Sequence, residues 1–61
     1  MPFVEVHLVE GRTHEQKKAL TNAITEALVQ HANANPEFLH VVISEYSKGN
    51  WARGGTLLSE M

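Results

Sequence analysis

An α+β fold made of one β-α-β unit is predicted by three observations. They are an alternating apolar segment near the start, a long helical stretch after it, and a second run rich in β-branched residues. All three fit within 61 residues, a length that allows one domain spanning 1–61. Two strands separated by a single helix are expected to lie parallel, joined by a right-handed crossover. A short hairpin is expected to follow them.

From Phe3 to Val9 the residues alternate, with Val4, Val6 and Leu8 on one face and Glu5 and His7 on the other. A half-buried strand reads this way. Gly11 breaks the pattern, and Thr13-His14-Glu15-Gln16 fits a capping box, with Thr13 at the N-cap and Gln16 reaching back. The helix is predicted from about His14 to Ala32. Its inward stripe reads as Ala19, Leu20, Ala23, Ile24, Ala27, Leu28 and His31, with Lys18, Thr21, Asn22, Thr25 and Glu26 facing away. Asn33-Ala34-Asn35-Pro36 ends it, because proline disfavours helical geometry in the residue before it. Pro36 to Leu39 is expected to form one tight turn, and His40 to Tyr46 the second strand. Ser47 to Gly55 is full of turn signals and suggests a small hairpin or arm, followed by a closing segment from Thr56 to Met61. One helix covers one face of a two-stranded sheet. The other face is left bare.

A domain this short buries only about 60% of the surface its unfolded chain exposes, so it needs a staple or partners. Cysteine is absent, which excludes disulfides and thiolate zinc sites, yet 43% of the residues are hydrophobic. The surplus apolar surface is expected to pack against copies of the same chain, making a homo-oligomer. The formal net charge is −2 and the few Lys and Arg are unclustered, which argues against a nucleic-acid partner. No apolar run approaches the ~20 residues of a membrane span, and no signal peptide is visible. A soluble cytoplasmic protein is the expectation.

Pro2 directly follows Met1. Removal of Met1 would leave a proline secondary amine at the start of the first strand. An α-amino group titrates near pH ~8, and burial beside cations lowers that value. Such a base can take a proton from one atom and return it to another. Arg12 lies between the first strand and the helix, where Gly11 permits a sharp turn and a helix N-terminus favours anions. Its guanidinium can hold a carboxylate bidentately. Trp51, the only tryptophan, sits in a glycine-flanked turn, suited to packing against a neighbouring subunit or a substrate. Arg53 would share its side if the arm is extended.

Other constellations fail. His14-Glu15-Gln16-Lys17-Lys18 begins like a zinc-protease helix but has Lys18 where the second ligand must stand. His7, His31 and His40 have no ligand spacing, so no metal is expected. Glu10 and Glu45 sit at strand ends, where exposed carboxylates are common.

Taken in register, several segments resemble the 4-oxalocrotonate tautomerase family of very small β-α-β enzymes. They are Pro2 after Met1, Leu8-Val9-Glu10-Gly11-Arg12-Thr13, Glu15-Gln16-Lys17, Lys48-Gly49-Asn50-Trp51, and Gly54-Gly55. The resemblance spans nearly the whole chain. It implies protomers that dimerise through their sheets, with three dimers forming a hexamer. It also implies that Pro2 is the general base of enol–keto tautomerisation, that Arg12 binds a substrate carboxylate, and that Trp51, at a place usually held by phenylalanine, walls the pocket. One departure matters for the substrate. His40 stands where dicarboxylate-specific members have a second arginine, and a neutral imidazole carries no fixed charge. Arg53, at a place where the archetype is apolar, is the candidate to compensate.

The reading that follows is a tautomerase acting on a 2-hydroxydienoate or related 2-oxo acid. Pro2 is its base, Arg12, Trp51, His40 and Arg53 form its substrate-binding set, and it needs no metal or organic cofactor. Two alternatives use the same scaffold. One is a hydratase or dehalogenase in which protonated Pro2 acts as an acid on an unsaturated acid. The other is a non-enzymatic oligomerisation module.

Overall fold

The computed structural model describes residues 2–61. The expected removal of Met1 therefore concerns a residue outside those described. Strand β1, Phe3–Val9, pairs in parallel with β2, His40–Tyr46, in an unbroken register from Phe3↔His40 to Val9↔Tyr46. The ladder extends by one hydrogen bond at each end. The His40 N–H donates to the Pro2 carbonyl (3.2 Å), and the Glu10 N–H donates to the Tyr46 carbonyl (2.8 Å).

Helix α1, His14–Ala32, connects the two strands. Its start is the predicted capping box: the Gln16 N–H donates to Thr13 Oγ1 (3.1 Å), and the Thr13 N–H donates to Gln16 Oε1 (2.9 Å). Two orphan donors of the first turn are thereby satisfied. At the other end Asn33 takes a left-handed conformation (φ 54°), and the Ala34 N–H returns to the Leu28 carbonyl (3.2 Å). Asparagine tolerates that geometry well, which makes it a natural stop signal. A short 3-10 turn, Pro36–Phe38, is capped by Asn35 Oδ1, which accepts from the Glu37 N–H (3.0 Å).

After β2 a second 3-10 turn, Lys48–Asn50, leads into a hairpin of β3, Ala52–Arg53, and β4, Thr56–Leu57. Its two-residue loop is Gly54-Gly55, with φ of 61° and 85°. Positive φ at both central positions matches the twist of a tight hairpin and favours glycine at both. The Leu58 N–H closes the arm on the Trp51 carbonyl (2.8 Å).

The helix lies differently from the expected stripe. Its half-buried residues are Lys17, Leu20, Thr21, Ile24, Thr25 and Leu28, while Ala19, Ala23, Ala27 and His31 are exposed. The inward face is rotated toward the threonines. Thr25 Oγ1 donates to the Thr21 carbonyl (2.8 Å) and Thr21 Oγ1 to the Lys18 carbonyl (3.1 Å), so both hydroxyls are satisfied within the helix itself. A self-bonded threonine presents mainly its methyl group and can sit against a sheet. Alanine, by contrast, has too little side chain to fix which way a helix faces.

No described residue is fully buried. The chain measures 42 × 24 × 15 Å with a radius of gyration of 14.5 Å, against about 10.5 Å for a compact domain of this length. It exposes 4712 Å², where a folded monomer of its mass exposes about 4,000 Å². The excess is close to the ~800 Å² that each partner contributes to a standard interface. The sheet face away from α1 carries Phe3, Glu5, His7 and Val9 beside His40, Val42, Ser44 and Tyr46, with Phe3 59% and Val42 42% exposed. No described helix is long and apolar enough to cross a membrane.

Placing a charge on the bare face tests whether it is covered in solution. Val42→Asp is expected to shift the protein, in sedimentation velocity at micromolar concentration, from a multiple of the 6.8 kDa chain to smaller species. Helical circular dichroism should fall with it, because burying an unpaired carboxylate costs several kcal/mol. An unchanged sedimentation profile would show that this face stays open to solvent.

Candidate active site

The parallel ladder sorts the predicted residues to two ends of one sheet. Pro2 is half-buried at the opening end, tied through its carbonyl to the His40 backbone. Arg12 lies just past the far end of β1, where its guanidinium donates to the Val9 carbonyl (2.8 Å). The seven residues of β1 separate the two ends by about 23 Å at a strand rise of ~3.3 Å. Within one chain the proline and the arginine do not meet.

Arg12 opens onto a groove of about 310 Å³ lined also by Leu8, Gln16, Lys17 and Leu20. Leu8 and Leu20 give it an apolar floor between β1 and α1. Gln16 is held by its bond to Thr13, so the capping box also positions one wall of the groove. Lys17 Nζ lies 2.8 Å from Glu45 Oε1, joining the first turns of α1 to the end of β2. A guanidinium carries five N–H donors, and one bond to Val9 leaves several directed elsewhere. Such a groove suits the carboxylate and short apolar body of a small organic acid.

On the opposite sheet face, Trp51 packs edge-on against Tyr46, with ring centroids 5.7 Å apart. Tyr46 in turn stacks on His7 (5.8 Å), and its hydroxyl is 2.8 Å from His7 Nδ1. Glu5 Oε2 lies 3.2 Å from His7 Nε2 and completes the row. Trp51 is half-buried on this support, so the arm has a definite seat. Arg53 is exposed on β3, and His40 is exposed at the start of β2. Arg12 and Trp51 thus share one end of the sheet, Pro2 and His40 the other. Glu45 and Glu10 do not pair with each other; Glu45 has Lys17 as its partner. Among the described residues no three His, Asp or Glu gather as a metal site.

A family model described as tautomerase enzyme matches residues 2–61 of this architecture. The chain belongs to the tautomerase family. It is 43% identical over 60 residues to a probable tautomerase of Halalkalibacterium halodurans, covering 98% of each chain. A probable tautomerase of Bacillus cereus is 47% identical over 60 residues, again with 98% of each chain covered. Among solved structures, YwhB, a homologue of 4-oxalocrotonate tautomerase, superposes with a TM-score of 0.95 at 42% identity and 98% coverage of each chain. A heterohexamer 4-oxalocrotonate tautomerase from Chloroflexus aurantiacus gives 0.93 at 26% identity, covering all of this chain and 98% of its own. The tautomerase β-α-β fold and its parallel sheet are therefore as the sequence predicts.

Lys17 and Glu45 stand out in this tautomerase only once it is folded. A signal for them existed. Alternation along β2 puts Glu45 on the same side as Val41 and Ile43, beneath the helix, where a carboxylate needs a partner. The seat of Trp51 on Tyr46 had no comparable signal, since it depends on how the segment after β2 turns.

Gly11 sets where Arg12 departs from the strand. Its φ is 129°, a conformation that L side chains rarely adopt, although a Cβ there would meet nothing within 4 Å. The penalty of Gly11→Ala is therefore purely one of backbone conformation. It is expected to cost about 1–3 kcal/mol in urea denaturation and to weaken binding of small carboxylates through displacement of Arg12. A variant with wild-type stability and wild-type carboxylate affinity would show that the turn does not require glycine.

Proposed function

We propose that this protein catalyses enol–keto tautomerisation of a 2-hydroxydienoate or a related 2-oxo acid, with the Pro2 amine, free once Met1 is removed, as the base. The single observation that carries this reading is a tautomerase family match beginning at Pro2 itself, with Pro2 held at the head of a parallel ladder. In the proposed step the Pro2 nitrogen takes the proton of the substrate's 2-hydroxyl group. The oxygen's electrons form the 2-oxo group, the conjugated double bonds shift, and protonated Pro2 returns the proton to carbon. Proton and electron balance close within the substrate, so the step requires no cofactor.

The Arg12 guanidinium binds a carboxylate of the substrate and so orients the chain of double bonds. A small dienoic acid is far shorter than the separation of Pro2 and Arg12 along β1. This supports a site in which Pro2 of one copy works with Arg12 of another, in an assembly of the hexameric kind that the family resemblance implies. Trp51, on its Tyr46 support, is proposed to wall the site, and Arg53 to supply a second cation. His40, bonded through its backbone to Pro2, is proposed as the side chain beside the base.

Pro2→Ala is expected to lose most of the activity, mainly in kcat, with Met1 shown absent by mass spectrometry. Arg12→Ala should instead raise KM for carboxylate substrates as well as lowering kcat. Co-refolding the two impaired variants is expected to raise activity above that of either alone, because some sites then receive the wild-type Pro2 from one chain and the wild-type Arg12 from the other. Full activity of Pro2→Ala removes the proline from the chemistry, and the absence of rescue in the mixture argues against a shared site.

His40→Arg would restore a fixed charge near the base. It is expected to raise kcat/KM for a dicarboxylate dienol more than for a monocarboxylate one. A charge-assisted hydrogen bond of about 1.5–3 kcal/mol corresponds to roughly tenfold or more. Equal effects on the two substrates would mean that residue 40 does not sense the second carboxylate.

A further inference from the structure

We infer that Glu45 is a specificity-determining residue that sets the charge of the Arg12 groove, biasing it toward ligand ends bearing a single negative charge. The inference rests on the proposed role of Arg12 as the carboxylate anchor. Two cationic side chains, Arg12 and Lys17, line the groove. They are not equally available. Lys17 Nζ is held at 2.8 Å by Glu45 Oε1, both side chains being about one-third exposed at 32%, whereas Arg12 is engaged, among the described residues, by the neutral Val9 carbonyl. Among the described residues no carboxylate pairs with Arg12.

With Lys17 neutralised, the groove offers one uncompensated positive charge on an apolar floor of Leu8 and Leu20. That matches a carboxylate, which Arg12 can bind through two parallel N–H donors. A doubly charged group such as a phosphonate would need a second cation, and would have to draw Lys17 away from Glu45 to obtain it. The register explains why Glu45 occupies this place. It pairs with Leu8, the groove residue of β1, and so lies on the helix-facing side of β2 beneath the first turns of α1. Glu45 is thus a positioning residue. It acts on the ligand through Lys17 rather than by touching it.

The test compares glutarate with 4-phosphonobutyrate, which replaces one carboxylate by a phosphonate on the same three-methylene chain. Dissociation constants are measured by calorimetry at mildly alkaline pH, where the phosphonate is doubly ionised. Glu45→Gln is expected to release Lys17 and tighten 4-phosphonobutyrate relative to glutarate by about two- to fivefold, the scale of one partly exposed ion pair. Glu45→Asp should keep the wild-type ratio, and adding Lys17→Gln to Glu45→Gln should abolish the gain. A structural role alone would lower the thermal midpoint of Glu45→Gln and Lys17→Gln alike without moving the ratio. An unchanged ratio in Glu45→Gln, or an equal gain in the double variant, overturns the inference. Arg12→Ala separates the two levels. If it abolishes binding of both ligands while Glu45→Gln leaves the ratio unchanged, the anchor stands and only the role of Glu45 fails. If Arg12→Ala binds both ligands as wild type does, the anchor fails as well.

Discussion

Parallel pairing of Phe3–Val9 with His40–Tyr46 governs where every other part of this protein can go. A parallel partner cannot be reached through a tight turn, so the chain must travel back along the sheet before the second strand begins. The nineteen residues of α1 cover about 28 Å at 1.5 Å per residue, slightly more than the length of β1. The match returns the chain to the edge where it started, and His40 opens beside Pro2 and Phe3. The same geometry carries the end of β1 away from that edge, so Gly11 and Arg12 emerge beside the end of β2. Their neighbours there are Tyr46, Glu45 and the first turns of the helix. Pro2 and Arg12, at the two ends of the sheet, are held apart by the very pairing that orders each of them.

The ladder also explains why a chain that is 43% hydrophobic has no fully buried residue among those described. One helix on two strands makes a single layer contact, too thin to enclose a side chain on all sides. Leu20, Ile24 and Leu28 reach only half-burial, while Phe3, Phe38 and Met61 remain more than half exposed. Apolar content in so small a domain therefore reports surfaces that other copies can cover. It does not report an interior.

Local signals in the sequence are legible because local physics decides them. Thr13 and Gln16 mark the start of α1, Asn33 its end, and Gly54-Gly55 the hairpin loop, each through the conformation of one or two residues. The rotation of α1 is not legible in the sequence, because half of the apolar stripe is Ala19, Ala23 and Ala27, whose methyl groups carry little preference between sheet and solvent. Thr21 and Thr25 look polar as letters, yet they bond to their own helix and turn inward. Pro2, Arg12 and Trp51 were recognisable as candidates from type and position alone. Their arrangement was not, since it depends on pairs such as Lys17 with Glu45 and His7 with Tyr46, which are 28 and 39 residues apart in the chain.

That no described residue is enclosed changes what folding means for this molecule. In a larger domain the collapse of the interior is unimolecular, and assembly follows as a separate event. In the proposed assembly the apolar groups that would drive collapse find their cover on neighbours, and structure and association are linked by mass action. The melting midpoint is then a property of concentration as much as of sequence, and the rate of refolding acquires a reaction order above one. Dilution acts on such a chain much as a denaturant acts on a larger one. The amount of protein present becomes part of its stability.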